Sequence, residues 1–249
     1  MTTEDRLYCD PALVQFYDIE NEGGADFDYC VRFAGDAQSV LDLGCGTGQL
    51  AAALANGRDV TGVDPAGAML DIARMRAGGD RVTWVEADAR TVRLDRTYDL
   101  VLLTGHAFQV FLTPADQMAV IETVAAHLSP GGRFIFDSRE PAAREWQEWT
   151  PELSRRTIVH RVLGEVAAWN DVRLDEATGV VAYDTFYEGA GGRFHARSEI
   201  AFPPRQALAA MIESAGLVAD RWMGDWSGAD WTPGAREIIP IGRLASGQP

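Results

Sequence analysis

The residues of this chain best suited to chemistry are three closely spaced glycines and two acids. Gly44, Gly46 and Gly48 predict a turn whose backbone takes positive φ or lies close to a ligand. Asp42 precedes this turn, and its carboxylate suits a cationic ligand or an ammonium group better than a pyrophosphate. Asp64 follows Gly44 by about 20 residues, a spacing typical of a carboxylate that binds ribose hydroxyls. The pattern predicts a site for a ribose-containing ligand.

The spacing of the glycines separates two classes of nucleotide ligand. A dinucleotide site has the pattern G-x-G-x-x-G, in which the third glycine opens the helix. Gln49 stands at the position of that third glycine, and residues 42–48 instead read D-x-G-x-G-x-G. The sequence therefore counts against a nicotinamide cofactor, although it does not remove that alternative.

These motifs resemble those of class I S-adenosylmethionine-dependent methyltransferases. Residues 42–48 are similar to motif I of that family, and Asp64 is similar to the acid of motif II. Residues 86–89 look like motif III, and residues 98–102 look like motif IV. The resemblance implies S-adenosylmethionine as cofactor, with S-adenosylhomocysteine as product. It implies the following cofactor-binding residues: Asp42, Gly44, Cys45, Gly46, Gly48, Asp64, Pro65, Met69, Asp88, Ala89 and Thr104.

The resemblance also implies roles for three acids, each of which has a structural alternative. Asp42 would contact the ammonium group, or it caps the glycine turn. Asp64 would bind both ribose hydroxyls, or it only caps the helix that follows. Asp88, with the backbone of Ala89, would bind the adenine amino edge, or it is a solvated acid in a turn.

The residues that would bind the methyl acceptor are not fixed by a motif. His106 follows the predicted fourth strand, where ligands collect, and it could accept a proton near neutral pH. Arg139 follows the fifth strand and could bind a carboxylate, or it pairs with a neighbouring glutamate. Tyr17, Tyr29 and Trp146 would form walls of the acceptor pocket, or they only pack in the core.

The alternation of apolar runs with helical patterns predicts an α/β fold. We expect a doubly wound, mostly parallel, seven-stranded Rossmann-like sheet with an antiparallel final strand. The first five strands lie near residues 40–43, 59–63, 82–85, 98–103 and 133–137, and the closing pair near 217–222 and 237–243. A small antiparallel β insertion follows strand five, with strands at 157–166, 167–175, 180–187 and 193–202.

The chain reads as a single domain over residues 1–249. Residues 1–37 predict an N-terminal helical lid, or helices that simply pack on the sheet. Residues 38–150 form the cofactor-binding core, residues 155–202 form the insert, and residues 203–249 form the C-terminal helix and closing strands.

Composition excludes several classes of function. The formal net charge is −15, and no run of Lys and Arg is longer than two residues, which counts against nucleic acid as a partner. No apolar run approaches a membrane span. Three scattered cysteines predict reduced thiols and a cytoplasmic protein. No metal is expected, because Thr104 stands where metal-dependent relatives carry an acid and no Asn follows Asp137.

The sequence therefore predicts a methyltransferase that acts on a nitrogen or oxygen of a small-molecule acceptor by in-line displacement, as a monomer or homodimer. One alternative is a non-catalytic module that binds S-adenosylmethionine or a partner protein. The other, less favoured, is an NAD-dependent oxidoreductase.

Overall fold

The predicted parallel sheet forms the centre of the computed structural model, which describes residues 5–245. Within these residues the strand order is β11-β12-β5-β4-β1-β2-β3, and β6 pairs with β12. The strands of this sheet are β1 (Ser39–Leu43), β2 (Asp59–Asp64), β3 (Val82–Glu86), β4 (Tyr98–Leu103), β5 (Leu128–Phe136), β6 (Ser138–Arg139), β11 (Leu217–Met223) and β12 (Glu237–Leu244).

Burial explains which strands lie in the middle. Every residue of β1 after Ser39 is buried, and β4 is almost fully buried too, because helices cover both faces of the sheet. β1 pairs with β2 and β4 in parallel register, whereas β12 runs antiparallel to both β5 and β11. The predicted fold and its antiparallel final strand are confirmed.

Helices lie on both faces of this sheet, and the first four of them precede its first strand in the chain. They are α1 (Arg6–Cys9), α2 (Pro11–Val14), α3 (Tyr17–Glu20), α4 (Ala25–Ala34), α5 (Gln49–Leu54), α6 (Gly67–Met75), α7 (Pro114–His127) and α8 (Arg205–Ser214). The start of α7 is fixed by its sequence, since the Thr113 side chain accepts a hydrogen bond from the Asp116 N–H and Pro114 stands at the first turn.

The insert is a separate antiparallel sheet in the order β10-β9-β8-β7. Its strands are β7 (Arg156–His160), β8 (Gly164–Leu174), β9 (Val181–Gly189) and β10 (Gly192–Ile200). Leu13 and Phe16 from the N-terminal helices pack against this sheet, and the ring of Phe16 stacks on Tyr187 with centroids 4.2 Å apart. The insert and the N-terminal helices therefore share a hydrophobic cluster.

Several predicted boundaries were wrong. The first insert strand ends at His160 and not at 166, because residues 161–163 form the turn and Val166 belongs to β8. The fifth strand runs over Leu128–Phe136 and not over 133–137. Residues 1–4 of the predicted lid and 246–249 of the predicted C-terminal segment lie outside the described residues. Across residues 5–245, no helix combines the length and apolar character that crossing a membrane requires.

Candidate active site

The glycine turn between β1 and α5 takes the backbone conformation that its sequence predicts. Gly44, Gly46 and Gly48 have φ values of 68°, 54° and 74°. Most of the N–H groups of the turn are already bonded within the protein. The N–H groups of Gly44 and Cys45 donate to the Val63 carbonyl at 2.7 and 3.1 Å. The turn therefore offers a ligand room more than donors.

Of the three glycines of the turn, Gly46 has the most space beside its Cα atom. A Cβ atom added there would lie 3.6 Å from the Tyr17 hydroxyl oxygen, on the side of the turn that faces the N-terminal helices. At Gly48 a Cβ atom would instead lie 2.3 Å from the ring of Trp84 in β3. Gly46 is therefore in ordinary contact with Tyr17 and lines the cavity described below, whereas Gly48 allows the turn to pack on the sheet.

Asp64, at the end of β2, is held rigidly below this turn. Its two carboxylate oxygens accept hydrogen bonds from the Gly46 and Ala66 N–H groups, each at 2.9 Å. Burial raises the pKa of Asp64, and these two N–H donors oppose the shift. Each carboxylate oxygen retains acceptor capacity for a further hydrogen bond, so the side chain can still bind a hydroxyl group.

Asp42 is a second buried acid beside the turn, with 4% of its surface exposed. Burial, together with the charge of Asp64, raises the pKa of Asp42 to about 7. Two buried carboxylates so close together repel one another when both are ionised. A cationic ligand in the adjoining space would relieve this repulsion.

A large cavity of about 710 Å³ opens beside both acids, a size suited to a nucleoside ligand together with a small molecule. It joins the glycine turn to the inserted sheet. The predicted site residues that line it are Tyr17, Asp42, Gly44, Cys45, Gly46, Asp64, Met69, Thr104, His106 and Arg139. The structure therefore brings together most of the predicted cofactor residues with three of the predicted acceptor residues.

A second, small apolar recess adjoins Gly44 and holds three further predicted residues, Pro65, Asp88 and Ala89. Arg90 donates to both oxygens of the Asp88 carboxylate, with its Nη2 only 2.6 Å from Oδ2. Although burial acts in the opposite direction, these bonds hold the pKa of Asp88 below its ordinary value. Asp88 therefore stays ionised as an acceptor, and any ligand must share it with Arg90.

The helix α3 crosses the glycine turn and is bonded to it through Asp18. The Asp18 carboxylate accepts hydrogen bonds from Thr47 Oγ1 at 2.6 Å, from Gln49 Nε2 at 3.1 Å and from Arg76 Nη2 at 2.5 Å. These contacts hold the neighbouring Tyr17 over Gly46. No motif pointed to Asp18, because the acidic segment that contains it resembles none.

His106 lies where β4 ends, in the left-handed region with φ of 60°. Its Nε2 atom is 3.1 Å from both carboxylate oxygens of Glu237 and 3.6 Å from Asp137 Oδ2. Burial raises the pKa of Asp137 to about 6, while the adjacent His106 opposes that shift. These three side chains are also of types that bind metals, which the sequence did not lead us to expect.

Two predicted acceptor residues lie elsewhere. Tyr29 does not line the cavity, because it faces Phe33 and Trp226 at the outer side of α4. Trp146 packs against Phe202, with ring centroids 4.5 Å apart. Trp149 lines the cavity in the place that was predicted for Trp146.

Arg139 lines the cavity, but other side chains already hold it. Its Nε donates to Glu145 at 3.1 Å, its Nη1 donates to Gln109 at 2.9 Å, and its guanidinium lies over the ring of Trp149. The pair with Glu145 is the structural alternative that the sequence left open.

Comparisons of the sequence with known proteins find methyltransferases. Residues 40–132 match a family described as a methyltransferase domain. The chain is 27% identical to the cypemycin N-terminal methyltransferase of Streptomyces sp over 83% of each chain. These matches support a class I S-adenosylmethionine-dependent methyltransferase.

Two solved structures show the same fold as this methyltransferase. The CcbJ methyltransferase from Streptomyces caelestis superposes with a TM-score of 0.77 at 20% identity, over 92% of this chain and 96% of that one. CalS10, an amino pentose methyltransferase from Micromonospora echinaspora solved with S-adenosylmethionine bound, gives a TM-score of 0.67 at 24% identity, over 92% and 94%.

The site of the methyltransferase fits its cofactor. S-adenosylmethionine carries a positive sulfur, an ammonium group and a ribose, and the cavity presents two buried acids beside the glycine turn. The cofactor prediction is confirmed, and the family assignment decides against the oxidoreductase and the non-catalytic module.

Sequence reasoning missed several residues that shape this methyltransferase's cavity. Glu237, Trp149 and Tyr183 all line it. Only Glu237 carried a usable signal. It begins a strand predicted to be antiparallel, and such a strand starts at the edge where the parallel strands end.

Proposed function

We propose that this methyltransferase transfers a methyl group to an amine nitrogen of a small-molecule acceptor. The charge of the cavity carries this proposal. Among residues 5–245, the cavity is lined by six acids and two arginines, the acids being Glu20, Glu22, Asp26, Asp42, Asp64 and Glu237. A cationic or neutral amine is favoured at such a surface over a carboxylate or phosphate.

Both arginines of the cavity are already paired with glutamates of the protein. Arg139 is held by Gln109 and Glu145, as described above. Arg156 pairs with Glu20 and donates to Asn170 Oδ1 at 3.2 Å. Both guanidinium groups therefore strengthen the wall of the cavity instead of adding an anion-binding site.

The roles of the chain's residues follow from their positions. S-adenosylmethionine supplies an electrophilic methyl group on a positively charged sulfur. We assign Asp64 to the ribose hydroxyls, Asp42 to the ammonium group and the recess at Asp88 to adenine. The N-terminal helices and the insert exclude water from the space above, and His106 accepts the proton that the acceptor nitrogen loses.

Two relatives are consistent with nitrogen as the methylated atom. By their names, the cypemycin enzyme acts at an N-terminus and CalS10 acts on an amino pentose. A hydroxyl acceptor is the second candidate, because His106 can accept a proton from a hydroxyl as well as from an ammonium group.

Matched pairs of acceptors test the proposal. The purified enzyme is incubated with S-adenosylmethionine and with amines, amino sugars and short peptides, each paired with its hydroxyl analogue. Release of S-adenosylhomocysteine and the mass of the product are measured. We expect turnover of amines, with the hydroxyl analogue at least about 100-fold slower. Turnover restricted to hydroxyl or carboxylate members of the pairs would refute the amine assignment.

A further inference from the structure

The carboxylates of Glu237 and Asp137 both lie near Nε2 of the His106 imidazole. Nε2 lies 3.1 Å from each oxygen of Glu237, whose side chain is 15% exposed. The Asp137 side chain is almost fully buried, and both of its oxygens accept a hydrogen bond from the His106 backbone N–H, at 3.0 and 3.2 Å. The ring and its backbone are therefore anchored independently, one by each acid.

This arrangement distinguishes the two ring nitrogens. A carboxylate only accepts hydrogen bonds, so the neutral imidazole carries its proton on Nε2 and donates it to Glu237. The lone pair then lies on Nδ1. Over the part of the chain that the structure describes, Nδ1 has no hydrogen-bond partner, although His106 lines the cavity.

We propose that Glu237, supported by Asp137, is a positioning residue that fixes the His106 tautomer so that Nδ1 accepts the proton of the methyl acceptor. This inference rests on the proposed function. An N–H bond of the protonated acceptor amine breaks, its proton moves to Nδ1, and the bonding electron pair stays on nitrogen. That pair forms the new bond to the methyl carbon, while the carbon–sulfur bond breaks and leaves its electrons on sulfur. Water later takes the proton from Nδ1.

The fold explains why these groups meet. Asp137 directly follows β5, and Glu237 begins the antiparallel β12, opposite Arg139 of β6. Both acids therefore reach the edge where β4 ends and His106 begins its turn. When the imidazole takes up a proton, the carboxylate of Glu237 stabilises the positive charge that forms.

The same three side chains could instead hold a divalent cation, because their ligand atoms all lie within 4.8 Å of one another. The hydrogen bonds to Glu237 satisfy Nε2 without an ion, and for this reason we favour the positioning role. Chelation therefore belongs in the test.

The first measurement needs no acceptor. Nitrogen NMR of the ¹⁵N-histidine-labelled full chain reports which ring nitrogen carries the proton. His106→Gln assigns the resonance. His127 serves as an internal reference of opposite tautomer, because its Nδ1 donates to the Thr123 carbonyl and its Nε2 accepts from the Leu94 N–H. We expect a protonated Nε2 at His106. A protonated Nδ1 would overturn the inference even if the enzyme methylates amines.

The second measurement separates positioning from a merely structural role. Glu237→Gln keeps an oxygen that accepts from Nε2, whereas Glu237→Ala removes it. We expect Glu237→Ala to lower kcat about 10- to 100-fold, with the KM for S-adenosylmethionine within about twofold. Glu237→Gln keeps the acceptor oxygen without the charge of the carboxylate, so we expect it to recover kcat only in part. Glu213→Ala, at an exposed position on α8, serves as the control and should leave both constants unchanged.

Two outcomes contradict the proposal. If Glu237→Ala and Glu237→Gln both keep kcat within about twofold, Glu237 does not position the base. If EDTA abolishes activity and a divalent cation restores it, the cluster is a metal site. Failure of every amine in the acceptor panel would contradict the proposed function instead, and the NMR result would still decide the tautomer.

Discussion

The affinity of the enzyme for S-adenosylmethionine should rise with pH between about pH 6 and pH 8, because Asp42 ionises in this range. Burial and the charge of Asp64 raise the pKa of Asp42 to about 7 in the protein without ligand. A cationic cofactor attracts the ionised carboxylate and therefore lowers this pKa when it binds. Binding then releases a proton from Asp42 wherever the free enzyme still holds it.

The pKa of Asp42 sets the size of the effect. With a value of about 7, only about one tenth of Asp42 is ionised at pH 6, whereas about nine tenths is ionised at pH 8. If only the ionised form binds well, the dissociation constant should fall about tenfold over this range, equivalent to about 1.4 kcal/mol. The sign is fixed, since protonated Asp42 cannot pair with a cation.

Isothermal titration calorimetry at several pH values, in buffers of different ionisation enthalpy, measures both the affinity and the proton released. Asp42→Asn should bind more weakly at pH 8 and should lose most of the pH dependence. Asp71→Asn, which changes a 77% exposed acid on α6, should behave like the wild type. A wild-type affinity that is independent of pH, or an unchanged pH profile in Asp42→Asn, would refute the contact between Asp42 and the cationic ligand.

Three further predictions concern the stability of the protein and the contact of α3 with the glycine turn. A shift from 3.8 to about 7 penalises ionised Asp42 by up to about 4 kcal/mol, so Asp42→Asn should raise the melting temperature of the ligand-free protein at pH 8 but not at pH 4. Asp18→Ala should weaken cofactor binding about 3- to 10-fold in calorimetry, because α3 loses its bonds to the turn. Gly48→Ala should cost about 2–4 kcal/mol in urea unfolding, since its Cβ would meet a tryptophan ring at 2.3 Å. Gly131→Ala, also at positive φ but with open space around it, should cost only about 1 kcal/mol; equal costs would contradict this account.

The cofactor half of the site was predictable from the sequence because it depends on local backbone geometry. Positive φ at Gly44 and Gly46 follows from residue type, and the position of Asp64 follows from the parallel pairing of β1 with β2. What the sequence did not reveal was the fate of the turn's N–H groups. They bond to the end of β2, a contact between segments that spacing alone does not describe.

The acceptor half was harder because it is built from segments far apart in the chain. Trp149 and Trp146 are both tryptophans in one irregular stretch, and only tertiary packing decides that Phe202 receives Trp146 while Trp149 faces the cavity. The prediction that Tyr29 forms a wall of the acceptor pocket missed for the same reason, since the helical pattern of α4 does not tell which neighbours meet its side chain. The first insert strand was misjudged because residues 161–163 carry no glycine or proline to mark the turn.

The antiparallel β12 has a consequence for how the enzyme matures during synthesis. β12 inserts between β5 and β11, so Glu237 reaches His106 only after β12 has been synthesised and has docked. A ribosome-bound chain that stops short of β12 lacks the carboxylate that we propose orients the imidazole, and it also lacks the strand that pairs with β5. The proposed proton-accepting pair therefore forms only once the central sheet contains β12.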